Sequence, residues 1–100
     1  MISKDRIVHI LNSGMTMQKL YDMCNLYAME LNKDEKGSDK TFTPEMFNLI
    51  NNHVDVDPRT GMVRNGHQLI LDVFNGAISY FRNKFAIVEL RRGSQILKYY

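Results

Sequence analysis

One local arrangement recurs three times along the chain. An apolar residue precedes a hydroxyl side chain, and a second apolar residue follows at the fourth helical position. The sets are Ile2-Ser3 with Ile7, Met15-Thr16 with Leu20, and Phe42-Thr43 with Phe47. A Ser or Thr oxygen placed this way accepts a hydrogen bond from a free amide of the first helical turn. The flanking apolar pair then staples the entry of the chain. Pro44 follows Thr43 at the first helical position, where a missing N–H costs nothing. The pattern predicts helices over 4–11, 17–32 and 44–52. In the second, Met17, Leu20, Cys24, Tyr27, Ala28 and Leu31 recur at three- and four-residue steps and predict one apolar stripe.

A fourth helix is predicted over 66–83. Leu69, Ile70, Val73, Phe74, Ala77, Ile78 and Phe81 make a broad apolar face, opposite a polar stripe of Gln68, Asp72, Asn75, Ser79 and Arg82. Such a face marks the central helix of the domain. Asn65 is its expected cap, with Gln68 completing a capping box. Gly76 in its interior costs about 1 kcal/mol against Ala, so a close helix contact is expected there.

Two segments alternate with period two and carry turn residues. In VDVDPRTGMVRNG, 54–66, Pro58 presets φ, Asp57 bonds the turn backbone and Gly61 supplies a positive φ. A loop of Pro58 to Gly61 pairs Asp57 with Met62, Val56 with Val63, and Asp55 with Arg64, the last as an exposed cross-strand ion pair. The tail, 85–100, reads as a hairpin with a type II′ turn at Gly93-Ser94. That register pairs Arg92 with Gln95, Leu90 with Leu97, Glu89 with Lys98 and Val88 with Tyr99. The expected fold is one α+β domain over 1–100: four helices, a hairpin near 54–64 and a C-terminal hairpin near 85–100. An isolated hairpin is marginal in water, which favours the two hairpins joining in one antiparallel sheet.

Composition changes this picture little. With 44% hydrophobic and 24% charged residues the chain is ordinary for a globular domain. No apolar run reaches membrane-span length, and MISKDRIVHILNSG has no signal-peptide core. A single cysteine, Cys24, excludes an intrachain disulfide, and a reducing, cytoplasmic setting is expected. Net charge is +2, with the excess late in the chain at Arg82, Lys84, Arg91, Arg92 and Lys98. KDEKGSDK, 33–40, reads as an exposed charged loop.

Candidate chemistry is sparse. An EF-hand counted from Asp55 puts Arg59 at the fifth position and lacks the closing Glu. No P-loop, dinucleotide or hydrolase motif occurs. His53, Asp55 and Asp57 alternate and project to one side of a strand, with His67 nearby, a donor set that suits a divalent metal. Turn geometry and Arg64 account for the same aspartates more simply, so no metal, cofactor or catalytic residue is assigned. Cys24 lies on an apolar stripe and is expected to be a buried, inert thiol.

The basic tail carries the expectation of function. Arg82, Arg91, Arg92, Lys98, Tyr99 and Tyr100 are the candidate partner-binding residues, because Arg and Tyr favour interface hot spots. The expected role is a non-enzymatic protein-binding module, of the kind a virus or mobile element uses to inhibit or adapt a host protein in the host cytoplasm. Over roughly the last sixty residues the element order is similar to a winged-helix module. That resemblance implies a nucleic-acid partner, with the hairpin on phosphates and helix 66–83 in the major groove. The polar stripe of that helix, Gln68, Asp72, Asn75 and Arg82, is thin and partly acidic for base reading. A homodimer through a sheet edge of the tail hairpin is the third alternative.

Overall fold

Each of the three hydroxyl caps is formed. Ser3 Oγ accepts from the Arg6 amide at 3.2 Å, Thr16 Oγ1 from Lys19 at 3.2 Å, and Thr43 Oγ1 from Met46 at 3.1 Å. The computed structural model describes residues 2–32 and 43–100. Its elements are α1 (Lys4–Asn12), α2 (Met17–Asn32), α3 (Pro44–Asn51), β1 (Val54–Val56), β2 (Val63–Asn65), α4 (Gly66–Lys84), β3 (Glu89–Arg92) and β4 (Gln95–Tyr99). This is a small α+β domain. The charged loop 33–40 and the staple residue Phe42 lie outside the described residues. Of the other staple residues, Ile2 packs on the core, whereas Met15 is exposed and makes no staple.

Helix α4 packs against α2 and α3, and α2 packs against α1. Ile7, Met23, Cys24, Ala77 and Phe81 are the innermost side chains. Because α2 is covered on two sides, its buried positions are Lys19, Leu20, Met23, Cys24, Leu26 and Glu30, a wider set than the predicted stripe. Met17 and Leu31 of that stripe are exposed, as is Leu69 of the predicted α4 face. The two charged members of the α2 set have distant partners. Lys19 Nζ donates to the carbonyls of Leu11 and Ser13, at 2.9 and 3.0 Å, and so caps the C-terminus of α1. Glu30 pairs with Lys84 and accepts from the Tyr80 hydroxyl at 3.2 Å.

Asn65 caps α4 as expected, accepting from the His67 amide at 2.9 Å. Gln68 does not complete a capping box, since its amide donates to Asp72 one turn on. Gly76 is not a close contact either. A Cβ there would meet the Tyr27 ring at 3.9 Å, ordinary van der Waals distance. The tight approach is at Gly66, where the end of α3 crosses the start of α4.

The first hairpin has the predicted register, Asp55 with Arg64 and Val56 with Val63. Its loop closes through Asp57 N to Met62 O and Gly61 N to Asp57 O, both 2.8 Å, with φ +70 at Gly61. Asp55 and Arg64 form no ion pair; the pairs among the described residues are Arg82–Glu89, Lys84–Glu30 and Arg91–Glu89. The hairpins do not join, and each is a separate two-stranded sheet. The helices lie between them in a flat body of 45 × 42 × 20 Å. Its radius of gyration is 15.6 Å, against about 13 Å for a compact chain of this length.

Candidate partner-binding face

The tail leaves α4 through a full Schellman turn. The Ile87 amide donates to Arg82 O at 2.9 Å and the Ala86 amide to Asn83 O at 3.4 Å. Ile87 is buried beneath the turn and fixes where β3 begins. The strand then turns at Gly93-Ser94 as predicted, with φ +63 at Gly93 and Arg92 opposite Gln95.

Arg91 opposite Ile96 keeps the predicted register, and beyond that pair it fails by one residue. Leu90 faces Lys98, Glu89 faces Tyr99, and a bulge leaves Leu97 without an opposite number. Val88 and Tyr100 exchange backbone hydrogen bonds at 3.0 and 3.1 Å. The shift has an identifiable cause in the contacts it makes. It sets Glu89 beside Tyr99 on the face turned to α4, and both meet Arg82. Arg82 pairs with Glu89, and its guanidinium carbon lies 5.8 Å from the centre of the Tyr99 ring. Arg91 also pairs with Glu89. The Arg91 hydrogen bond, with the Arg82 charge added, holds the Glu89 carboxyl below the usual carboxylate range, against the partial burial that raises it.

The outer edge of β4 is anchored to α1 by a side chain acting as a strand. Asn12 Nδ2 donates to Tyr99 O at 2.9 Å, and the Tyr99 amide donates to Asn12 Oδ1 at 2.8 Å. The candidate residues are therefore divided. Arg82, Arg91 and Tyr99 belong to the inner face and are held by internal partners. Arg92, Lys98 and Tyr100 stand on the outer face with Val88, Leu90 and Gln95, all exposed. Sequence reasoning missed Val88 and Leu90 because its register turned their strand partners differently. The outer face carries two cations, two aliphatic side chains, a tyrosine 54% exposed, and no acidic side chain.

His67 Nδ1 lies 2.6 Å from Asn51 Oδ1, and Asp57 Oδ1 accepts from the Arg59 amide at 2.8 Å. Among the described residues no three His, Cys, Asp or Glu side chains gather as a metal site. Burial pushes the Cys24 thiol up to about 11, which keeps it protonated and unreactive. A cleft of 730 Å³ opens between the start of α1 and the ends of α2 and α4. It is lined by Arg6, Asn25, Glu30, Lys84 and Phe85 among others, and Lys84 and Glu30 are spent on each other there. No helix among the described residues is long and apolar enough to cross a membrane. Comparison with protein-family models, with curated proteins and with solved structures finds no match.

Proposed function

We propose that the protein is a non-enzymatic binding module that docks an acidic, partly apolar protein surface on the outer face of its C-terminal hairpin. The observation that carries this reading is the sorting of charge across the hairpin. The bulge sets Tyr99 in place of Lys98 opposite Glu89, the one acidic side chain of the tail, which faces inward onto two arginines. Arg92 and Lys98 remain outside, around exposed Val88, Leu90 and Tyr100. Aromatic and aliphatic centres with arginine nearby are the composition of interface hot spots, and an unopposed basic rim selects acidic partners. An inhibitor or adaptor of a host protein, carried by a virus or mobile element, is the biological role this reading favours.

The test is capture from the lysate of the source cell with nuclease present. A defined protein partner is expected, lost with Leu90→Asp and with Tyr100→Ala while the fold is kept. A capture that vanishes with nuclease, together with duplex binding that falls steeply with salt and with Arg92→Ala, would establish the nucleic-acid alternative instead.

A further inference from the structure

The first hairpin is an unfinished sheet. Val54, Val56 and Val63 share one of its faces, 62%, 55% and 62% exposed. Two strands alone are marginal in water, and a third or fourth strand is the usual remedy. The hydrogen bonds of the ladder show which edge is open. Gly66 N donates to His53 O and Asp57 N to Met62 O, both at 2.8 Å. Residues 53, 55 and 57 therefore turn their backbone groups toward β2. Val54 and Val56 turn theirs the other way, onto an edge that no strand among the described residues pairs.

We propose that two copies of the chain pair through this edge, β1 against β1 antiparallel, about a two-fold axis at Asp55. The segment His53-Val54-Asp55-Val56-Asp57 is complementary to its own reverse. In this register Val54 lies opposite Val56 of the second copy, and these are the residues with free N–H and C=O groups. His53 lies opposite Asp57, twice, joining an imidazole to a carboxylate. The valine faces merge into one face of six across four strands. On the reverse face the row runs Arg64, Asp55, Asp55, Arg64, so each carboxylate of the central like-charged pair keeps its own arginine as register neighbour. Shifting the axis to Val56 sets Asp55 against Asp57 twice. Shifting it to Val54 sets Val56 against Asn52, the helical cap of α3. The tail hairpin is a poorer candidate, because Asn12 already occupies the β4 edge at Tyr99. The His-x-Asp-x-Asp pattern that resembles a metal site thus acquires a role in self-recognition.

A pairing this short buries little area, so the dimer is weak, with a Kd of about 10 μM to 1 mM. Sedimentation equilibrium across that range should show a monomer–dimer equilibrium. Val54→Lys with Val56→Lys, at exposed positions, should leave a monomer with unchanged helical circular dichroism. Asp55→Asn should tighten the dimer about two- to five-fold by removing the central repulsion. The register is read by cross-linking. Asp55→Cys places two thiols at a non-hydrogen-bonded pair, about 4.5 Å between Cα atoms, within disulfide reach. Val54→Cys places them two residues out of step and should cross-link slowly. A monomer throughout the range, a dimer that survives the double lysine variant, or equal cross-linking at 54 and 55 would each overturn the proposal.

Discussion

A Cβ on Gly66 would lie 1.7 Å from the carbonyl oxygen of Ile50 and 3.2 Å from that of His53. The last turn of α3 and the first of α4 cross there with backbone against backbone, and the Gly66 amide donates to His53 O in the same crossing. No side chain fits without moving both helices. Gly66→Ala should therefore cost about 3 kcal/mol or more, at the upper end of overpacking effects. Gly76→Ala is the control. Its Cβ meets the Tyr27 ring at ordinary distance, and the gain in helix propensity should stabilise the fold by about 1 kcal/mol. Urea denaturation followed by circular dichroism reads both.

Ala86 adopts φ +52, the one non-glycine residue among those described with positive φ. It occupies the position after the α4 cap that the Schellman turn ordinarily gives to glycine. The left-handed conformation costs a non-glycine residue about 1–2 kcal/mol, and glycine returns part of that through unfolded-chain entropy. Ala86→Gly should raise stability by about 0.5–1 kcal/mol net. Ala86→Val should lower it, because a β-branched residue tolerates this region least. The urea midpoint is again the measurement.

The features legible in the sequence are those decided within five residues. Ser3, Thr16, Thr43 and Asn65 as caps, and the Pro58–Gly61 loop, rest on hydrogen bonds that span two to five positions. What stayed hidden depends on elements meeting. Lys19 is buried because the end of α1, eight residues back, needs a donor. Glu30 is buried because Tyr80 and Lys84 reach it from 50 and 54 residues away. Cross-strand pairs alone favour the tail register that puts Glu89 against Lys98. The competing partner, Arg82, sits on a helix, and no strand alternation reveals it. The split of the candidate residues into inner and outer faces followed from that single shift.

Asn12 joins α1 to Tyr99 across 87 residues by two hydrogen bonds. Asn12→Ala removes both, and should cost about 1–2 kcal/mol, with faster amide exchange at Tyr99 before any change in the helical core. Asn12→Asp keeps the acceptor for the Tyr99 amide but loses the donor, setting a carboxylate against the Tyr99 carbonyl. It should loosen the strand at least as much. Neither variant touches the outer face, yet both should weaken partner capture, because the anchor holds Tyr100 and Lys98 in place.

Glu89 makes the tail sensitive to acid. Its carboxyl is held below the ordinary value of 4.5 in the folded protein, first by the Arg91 hydrogen bond and then by the Arg82 charge. The unfolded chain therefore binds the proton more readily, and the slope of stability with pH is positive in this window. The contribution is fully present above pH 4.5 and is lost as the pH falls through 4.5 toward the depressed folded value. On acidification the signals of Leu90 and Tyr99 in a two-dimensional NMR titration should shift before those of Phe74 and Phe81. Glu89→Gln should lower the urea midpoint at pH 7, with the gap from the parent closing below pH 4.5. It should also free Arg82 and Arg91 and raise the positive charge of the tail. If the outer face selects an acidic partner by charge alone, that variant should bind more tightly despite its loss of stability. If the register held by Glu89 is what presents Val88, Leu90 and Tyr100, it should bind more weakly, and the proposed face requires the weaker binding.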